Sequence, residues 1–401
     1  MSLTSFARAL CAGLALALGA ATASAQVAWQ TIPDPGPVLG ADGKLHQASC
    51  SAFPGTDPSW RFWVRPGDPK KLAVVFDGGG ACWDDLTCSH PYGVGAMGGA
   101  RPAPGALLQF YTPAIPPDAD PSRYGGLLDL DDPANPVRDW TGVAVPYCTG
   151  DVHLGSADRV YDGVGQPQLP SSFTLRHRGQ DNFMVVLDWI AKNLPQDVED
   201  LLVTGASAGG YGAAGHFPWL AQQFPQARLS VLADASQGVT TPAFDAGDPG
   251  RGAWNPQLAP WVFGSDPLAV RSHELMRRGA AAYPQGRFAQ YTTTADGVQV
   301  GFYAVMRIRH GPGEGDCSRL TPDWNRQMLA TLAQDKALLP NFRAYVQRGT
   351  GHTILGDDDF YVAPPRAPSM AAWLRTMLDP AAGPAWGHGQ CPGCLRPMRC
   401  R

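Results

Sequence analysis

Short runs of apolar residues alternate with amphipathic stretches through most of the chain. The apolar runs, most of them rich in β-branched residues, lie at 60–65, 71–76, 141–145, 201–204, 229–233, 288–293 and 342–346. Apolar positions recur at helical spacing over 182–194, 208–223, 323–338 and 370–378. Short buried strands that alternate with helices are typical of a parallel sheet covered on both faces. The pattern therefore predicts an α/β fold with a mostly parallel central sheet flanked by helices.

Two long segments rich in proline and glycine interrupt this alternation, near residues 91–139 and 239–286. We interpret them as loop insertions in one core, because the sequence has no internal repeat and no linker-like boundary. Residues 1–25 contain a basic residue, a short apolar stretch and a final Ala-Ser-Ala, the pattern of a secretory signal peptide. We therefore expect cleavage near Ala25, a single domain over 26–401, and a secreted or periplasmic location.

The charge and composition argue against several function classes. The 401 residues include 31 Lys or Arg and 35 Asp or Glu, which gives a net charge of −4. No basic run is present, so we expect no nucleic-acid partner. The N-terminal apolar stretch is too short for a permanent membrane anchor, so we expect no stable membrane insertion.

The cysteines indicate disulfides. Nine are present, and eight remain if Cys11 is removed with the signal peptide. An even number in an exported protein favours disulfide pairing, and we predict the local pair Cys82–Cys88. The C-terminal tail contains His388, Cys391, Cys394 and Cys400. These four could be drawn as a zinc site, but disulfides that tie down the tail are the better interpretation in an oxidising compartment. We expect no metal and no other cofactor.

One serine lies between a predicted strand and a predicted helix. Residues 205–209 read Gly-Ala-Ser-Ala-Gly, which matches the pattern G-x-S-x-G. A sharp turn from strand to helix exposes the central side chain and requires small neighbours. The motif favours Ser207 as a nucleophile, although a glycine-rich turn that only packs a helix on a sheet has the same composition.

Three consecutive glycines follow the 71–76 strand. In the segment Asp77-Gly-Gly-Gly-Ala-Cys-Trp83, backbone N–H groups can point into a pocket without obstruction by side chains. Such groups stabilise the oxyanion that develops in acyl transfer. A plain glycine-rich turn is the alternative, but the G-x-S-x-G motif at another strand end favours the oxyanion strip.

Two further polar residues lie after later predicted strands. Asp296 follows the 288–293 run and His352 follows the 342–346 run. Serine, then acid, then histidine is the chain order of α/β-hydrolases. Asp234 also follows a strand and is an alternative acid, and His153 could line the pocket.

Several segments, taken in order, resemble the signatures of the pectin acetylesterase (Notum-like) family. They are VVFDGGGACW, VPYCTGDVHLG, FTLRHRGQDN, VTGASAGGYGA, LADAS and TTTADGVQ, and the resemblance extends over about residues 60 to 355. It implies an α/β-hydrolase fold and a metal-free carboxylesterase with nucleophile Ser207 and acid Asp296. The oxyanion donors it implies are the backbone N–H groups of Gly79, Gly80 and Ala208. This chain departs from the family in having Ala81 where an aromatic residue often follows the glycines, and the segment around His352 is only loosely similar.

These residues together predict a serine carboxylesterase with the catalytic set Ser207, Asp296 and His352. The resemblance favours acetyl or other short acyl esters, as small molecules or on polysaccharide, as the substrate. Two alternatives stay open at this point. One is a hydrolase of another acyl bond, such as a polyester, lipid ester or thioester, and the other is a non-catalytic binding protein.

Overall fold

The computed structural model describes residues 28–92, 109–165, 168–391 and 393–400. The predicted signal peptide and Cys11 lie outside these ranges. The strands of the described residues are β1 Gln30–Pro33, β2 Val38–Leu39, β3 Leu45–His46, β4 Arg61–Arg65, β5 Asp68–Phe76, β6 Trp140–Val145, β7 Ala157–Asp162, β8 Ser172–His177, β9 Asp200–Ala206, β10 Arg228–Asp234, β11 Arg287–Thr293, β12 Phe342–Gln347 and β13 Gly389–Gln390. The α-helices are α1 Asp85–Cys88, α2 Gly179–Asn193, α3 Ala208–Gln223, α4 Pro242–Ala246, α5 Pro260–Phe263, α6 Leu275–Ala282, α7 Gly297–His310, α8 Leu320–Leu338 and α9 Met370–Leu378.

Nine of the described strands form the central sheet, in the order β1-β4-β6-β5-β9-β10-β11-β12-β13. From β6 to β13 every neighbouring pair is parallel, whereas β1 and β4 join one edge in antiparallel pairs. The mostly parallel sheet predicted from the sequence is therefore confirmed. Because β5, β9, β10, β11 and β12 run in the same direction, the loops that follow them meet at one edge of the sheet.

Alternate residues of each central strand pack on opposite faces of the sheet. In β5, Val74 and Phe76 belong to the larger apolar core, whereas Ala73 and Val75 belong to a second core on the other face. Helices α2, α3, α6 and α8 contribute to the larger core, and α9 contributes to the second. Burial on both faces explains why these strands read as nearly continuous apolar runs.

The described part of the chain contains four disulfides. The pairs are Cys50–Cys148, Cys82–Cys88, Cys317–Cys400 and Cys391–Cys394. The predicted pair Cys82–Cys88 is confirmed, and the three tail cysteines are all in disulfides, which excludes the alternative thiolate zinc site. In the described residues, no helix has the length and apolar character needed to cross a bilayer.

Candidate active site

Ser207 occupies the sharp turn between β9 and α3. Its backbone has φ 56° and ψ −122°, a strained conformation for a residue with a side chain. A Cβ atom on Gly205 would overlap the carbonyl group of Gly209, and one on Gly209 would overlap the carbonyl oxygen of Phe76. The glycines are therefore required because helix α3 begins directly against the end of β5.

Hydrogen bonds fix this turn to the neighbouring strand. The Ser207 N–H donates to the Asp234 carbonyl oxygen at 2.8 Å. The Ser236 hydroxyl donates to the carbonyl oxygens of Ser207 at 2.6 Å and Asp234 at 2.9 Å. With its backbone held on this side, Ser207 presents a partly exposed hydroxyl to the cavities at the sheet edge.

The three predicted catalytic residues meet at this edge. The Ser207 Oγ lies 2.8 Å from His352 Nε2, and His352 Nδ1 lies 2.9 Å from both carboxylate oxygens of Asp296. Because a carboxylate only accepts hydrogen bonds, Nδ1 carries the proton and Nε2 accepts the serine hydroxyl. Asp296 is fully buried, whereas the His352 side chain is 21% exposed. The arrangement suits proton transfer from the serine to the imidazole.

Helix α7 holds the Asp296 carboxylate in place. Asp296 caps this helix and accepts hydrogen bonds from the N–H groups of Val298 at 3.1 Å and Gln299 at 3.0 Å. The Gln299 side-chain amide donates to the second carboxylate oxygen and also to Gln237 Oε1, each at 2.9 Å. No role for Gln299 was predicted from the sequence. Its position three residues after Asp296 is nevertheless typical of the start of a helix.

Asp234, the alternative acid, makes no hydrogen bond to the His352 ring. Its Oδ2 accepts the N–H groups of Ile354 at 2.8 Å and Leu355 at 2.9 Å, in the loop that carries His352. Its Oδ1 is buried and has no hydrogen-bond partner among the described residues. Burial raises the pKa of Asp234 to about 7. Its contacts make Asp234 a positioning residue for the histidine loop.

Backbone N–H groups of the glycine strip after β5 have no acceptor in the described part of the chain. No described residue accepts a hydrogen bond from the N–H groups of Gly79, Gly80 or Ala208. Gly80 has φ 75°, and a Cβ atom there would overlap the carbonyl oxygen of Phe110, so only glycine fits. Unpaired donors beside the Ser207 hydroxyl are what an oxyanion requires.

His153, which the sequence suggested as a pocket residue, supports the glycine strip instead. In the described part of the chain, it lines neither of the two cavities next to Ser207 that are described below. Its Nε2 donates to the Asp77 carbonyl oxygen at 2.9 Å, just before the three glycines. The imidazole is 1% exposed, and burial lowers its pKa to about 4, so the ring is neutral at physiological pH. His177 and His216 are also buried core residues, with pKa values that burial lowers to about 4 and about 3.

Ser207 and His352 line two cavities. The smaller, which we call the acyl cavity, encloses about 70 Å³ and is mainly apolar. Its side-chain walls include Tyr211, Phe244, Trp254, Phe302 and Met306. The larger, which we call the groove, encloses about 530 Å³. Gly80, Ser207 and His352 line both, so the reacting atoms would lie where the two spaces meet.

The disulfide Cys82–Cys88 begins two residues after the last glycine of the strip, Gly80. The Cys82 N–H donates to the Gly150 carbonyl oxygen at 2.8 Å, and its own carbonyl accepts the Trp254 indole N–H at 2.6 Å. The two sulfurs also lie within 4.8 Å of a His177 ring nitrogen. Because both sulfurs are oxidised, they do not form a thiolate metal site.

Removing this disulfide should lower turnover. If the glycine strip holds an oxyanion, as predicted from the sequence, we expect the double change Cys82→Ser and Cys88→Ser to reduce kcat about tenfold on a short-chain ester, because small displacements of such donors are costly. The matched control is Cys391→Ser with Cys394→Ser, which removes an equally local disulfide from the tail and should leave kcat near wild type. Rates are compared at a temperature where circular dichroism shows all three proteins folded. Equal kcat values in the two double variants would contradict the role given to Cys82–Cys88.

Comparison with known proteins identifies related sequences and folds. Residues 119–245 match the family model described as pectinacetylesterase, a segment that includes Ser207 and ends before Asp296 and His352. No curated protein sequence matches the chain. Among solved structures, the chain is similar to the Wnt deacylase Notum from Drosophila, with a TM-score of 0.59 and 16% identity over 92% of this chain and 100% of that chain. At this identity the likeness shows the fold, and the predicted α/β-hydrolase fold is confirmed.

Proposed function

We propose that this carboxylic ester hydrolase, whose residues 119–245 match the pectinacetylesterase family model and which shares the fold of Notum, cleaves short acyl esters through Ser207, His352 and Asp296. The observation that carries this proposal is the unbroken hydrogen-bond chain from the Ser207 hydroxyl through His352 to Asp296, beside unpaired backbone donors. A nucleophile, a base and an oriented acid in this order form the functional unit of serine hydrolases.

In the first half-reaction, the ester carbonyl carbon lies above Ser207 Oγ. His352 Nε2 takes the hydroxyl proton as Oγ bonds to the carbonyl carbon. The negative charge moves to the carbonyl oxygen, which the N–H groups of Gly79, Gly80 and Ala208 stabilise. Asp296 stabilises the imidazolium, since its carboxylate accepts the Nδ1 proton at 2.9 Å.

Collapse of this intermediate breaks the bond to the alcohol oxygen. His352 donates its Nε2 proton to that oxygen, and the neutral alcohol leaves. The acyl group stays on Ser207 until a water molecule, deprotonated by the same nitrogen, attacks it. A second collapse returns the proton to Ser207 and releases the carboxylic acid.

The shapes of the two cavities suggest which half of the ester each receives. The acyl cavity encloses about 70 Å³, far below the roughly 300–1,000 Å³ of sites for drug-sized ligands. An acetyl or similarly short acyl group suits this mainly apolar space, whereas a long lipid chain does not. The groove, at about 530 Å³, has room for a bulky alcohol such as a saccharide.

We further propose that the enzyme acts outside the cytoplasm after removal of a signal peptide. All eight described cysteines are paired, and disulfides persist in oxidising compartments. The proposed chemistry needs no metal, because backbone donors take the place of a Lewis acid.

A panel of p-nitrophenyl esters from acetate to palmitate, with acetylated pectin and xylan, tests the proposal. We expect the highest kcat/KM for acetate to butyrate and a loss of at least about 100-fold by palmitate, because a long chain cannot enter the acyl cavity. EDTA should not change the rate. A rate on palmitate equal to that on acetate would contradict the short-acyl proposal. No hydrolysis of any ester, together with no labelling by a fluorophosphonate, would contradict the serine esterase itself.

A further inference from the structure

Part of the wall of the acyl cavity is polar, although the cavity as a whole is mainly apolar. Three polar side chains from the 239–286 insertion line it, namely Thr240, Arg251 and Ser272, which together we call the polar wall. All three are buried, and Arg251 is only 3% exposed. Polar groups that are buried in this way normally have their hydrogen bonds satisfied within the protein, so any donor left over needs an explanation.

The Asp245 carboxylate holds the polar wall together. It is fully buried and accepts the hydroxyl groups of Thr240 at 2.7 Å and Ser272 at 2.6 Å. It also accepts Arg271 Nε at 2.6 Å and Arg251 Nη1 at 3.4 Å. Because each hydroxyl gives its one proton to Asp245, its oxygen can act towards the cavity only as an acceptor.

Arg251 has one hydrogen-bond donor left. Its Nη1 donates to the Val270 carbonyl oxygen at 2.7 Å, and its Nη2 donates to the Pro267 carbonyl oxygen. Its Nε–H is buried and has no hydrogen-bond partner among the described residues. Leaving a buried donor unpaired is costly. The polar wall therefore combines one unpaired donor with hydroxyl oxygens that can accept.

The polar wall faces the acyl chain rather than the ester carbonyl. Tyr211 lies one turn of α3 after Ser207 and also lines the cavity. Its hydroxyl accepts the Gly238 N–H at 3.0 Å, two residues before Thr240. The length of a tyrosine side chain thus separates the turn at Ser207 from the segment that leads to the polar wall. The far carbons of a short acyl group would reach this wall while its carbonyl carbon lies at Ser207.

We propose that the acyl cavity binds a short acyl group with a hydroxyl on carbon 3, and that Arg251 and Thr240 are specificity-determining residues. This inference rests on the proposed esterase function and specifies its acyl group. A hydroxyl can accept the Arg251 Nε–H and at the same time donate to Thr240 Oγ, so a single group pairs with both. Acetyl esters remain substrates, because water can pair with the polar wall when the acyl group is too short to reach it.

The charges around the polar wall favour a neutral hydroxyl over a carboxylate. Arg251 and Arg271 carry two positive charges, and Asp245 carries one negative charge. Glu314 accepts Arg271 Nη1 at 3.0 Å and supplies the second negative charge. The four groups are therefore balanced without a substrate. An acyl group that ends in a carboxylate would bring an uncompensated charge into a mainly apolar cavity, whereas a hydroxyl brings none.

The experiment compares two esters that differ in one group of similar size. Ethyl 3-hydroxybutyrate has a hydroxyl where ethyl 3-methylbutyrate has a methyl group. Hydrolysis is followed in a pH-stat, both enantiomers of the hydroxy ester are measured, and each rate is divided by that of alkaline hydrolysis. We expect wild-type kcat/KM to be at least about tenfold higher for the better hydroxy enantiomer, because a methyl group leaves the buried polar groups unpaired. Ethyl hydrogen succinate, which carries a carboxylate, should react more slowly than the hydroxy ester.

Two variants test whether the polar wall sets this ratio. Arg251→Lys keeps the charge and removes the Nε–H, and Thr240→Val keeps the shape and removes the acceptor. Each should lower the ratio of hydroxy to methyl ester at least about threefold, whatever happens to the absolute rates. Thr240→Ser keeps the hydroxyl and should keep the ratio. If Arg251→Lys does not fold, as judged by circular dichroism, Thr240→Val and Thr240→Ser decide.

The matched control for the arginine is Arg277→Lys. Arg277 is also paired with a fully buried carboxylate, that of Asp335, but is not part of the described lining of the acyl cavity. The control should keep the wild-type ratio. A purely structural role of the polar wall would lower the rates on both esters and leave their ratio unchanged.

Three outcomes would overturn the inference. The first is a wild-type enzyme that hydrolyses the methyl ester as fast as the hydroxy ester, and the second is a preference for ethyl hydrogen succinate. The third is a wild-type ratio in every folded variant of Arg251 and Thr240. In each case hydrolysis of p-nitrophenyl acetate by the same preparations would still support the esterase, so failure of the inference is distinguishable from failure of the proposed function.

Discussion

Replacing Ser207 with alanine should lower kcat on a short-chain ester by about 10⁵-fold, since removal of a serine nucleophile takes away the whole covalent pathway. The Asp234 carbonyl oxygen and the Ser236 hydroxyl bond only main-chain atoms of Ser207, so the variant should fold. Turnover is measured with p-nitrophenyl acetate, and covalent labelling with a fluorophosphonate should disappear in parallel.

A neighbouring serine provides the control for this change. Ser236→Ala removes a hydroxyl that bonds the same turn without touching the proposed reaction. It should keep fluorophosphonate labelling and most of the activity. A folded Ser207→Ala protein with near-wild-type kcat would exclude the mechanism.

Replacing Asp296 with asparagine should lower kcat by about 10⁴-fold, because an amide permits the wrong histidine tautomer and cannot stabilise the imidazolium. The chain provides a matched control in Asp234, which is equally buried and lies at the end of the adjacent strand. In Asp234→Asn the amide oxygen can still accept the N–H groups of Ile354 and Leu355, so kcat should stay within about tenfold of wild type. Both variants are assayed at the pH optimum of the wild type, after circular dichroism has shown that they fold.

The opposite pattern of rates would reverse the assignment. If Asp234→Asn loses activity by several orders of magnitude and Asp296→Asn does not, the acid of the mechanism is on β10. Comparable large losses in both would indicate that the histidine loop needs the charge of Asp234 as much as its hydrogen bonds.

The central sheet was the most predictable part of the fold. Strands buried on both faces are mostly apolar, so β5, β6, β9, β10, β11 and β12 are visible as largely apolar runs. Helices α3 and α9 have the predicted bounds, Ala208–Gln223 and Met370–Leu378. The family resemblance is confirmed as well.

Helix α7 and the β7–β8 hairpin were not predicted, for different physical reasons. Helix α7 begins at a glycine, and its buried face, Gln299, Tyr303 and Met306, includes a polar residue. Because the apolar Ile308 is 82% exposed, apolar residues do not mark the buried face in the sequence. Burial alternates along strand β7, but the apolar Val160 lies on the outer face and is 63% exposed, next to the buried Tyr161. The apolar and polar residues of the sequence therefore do not follow the alternation. Tertiary contacts decide such segments, and the local sequence does not record those contacts.

Chain order located the candidate catalytic residues, because the carboxyl ends of parallel strands meet at one edge. The supporting roles could not be found in this way. That Gln299 holds Asp296 and also reaches Gln237, and that Asp234 holds the histidine loop, depend on side-chain geometry. Sequence position can nominate such residues, but it cannot say which groups they reach.

At Ser207, the strained backbone that the proposed mechanism needs also lowers the stability of the folded protein. A residue with a side chain at φ 56° and ψ −122° costs on the order of 1–3 kcal/mol relative to an unstrained backbone. Glycine would remove that cost and with it the proposed nucleophile. Random mutation followed by selection for thermal stability alone would therefore tend to inactivate this enzyme at Ser207, and any stabilised version obtained in that way should be screened for turnover.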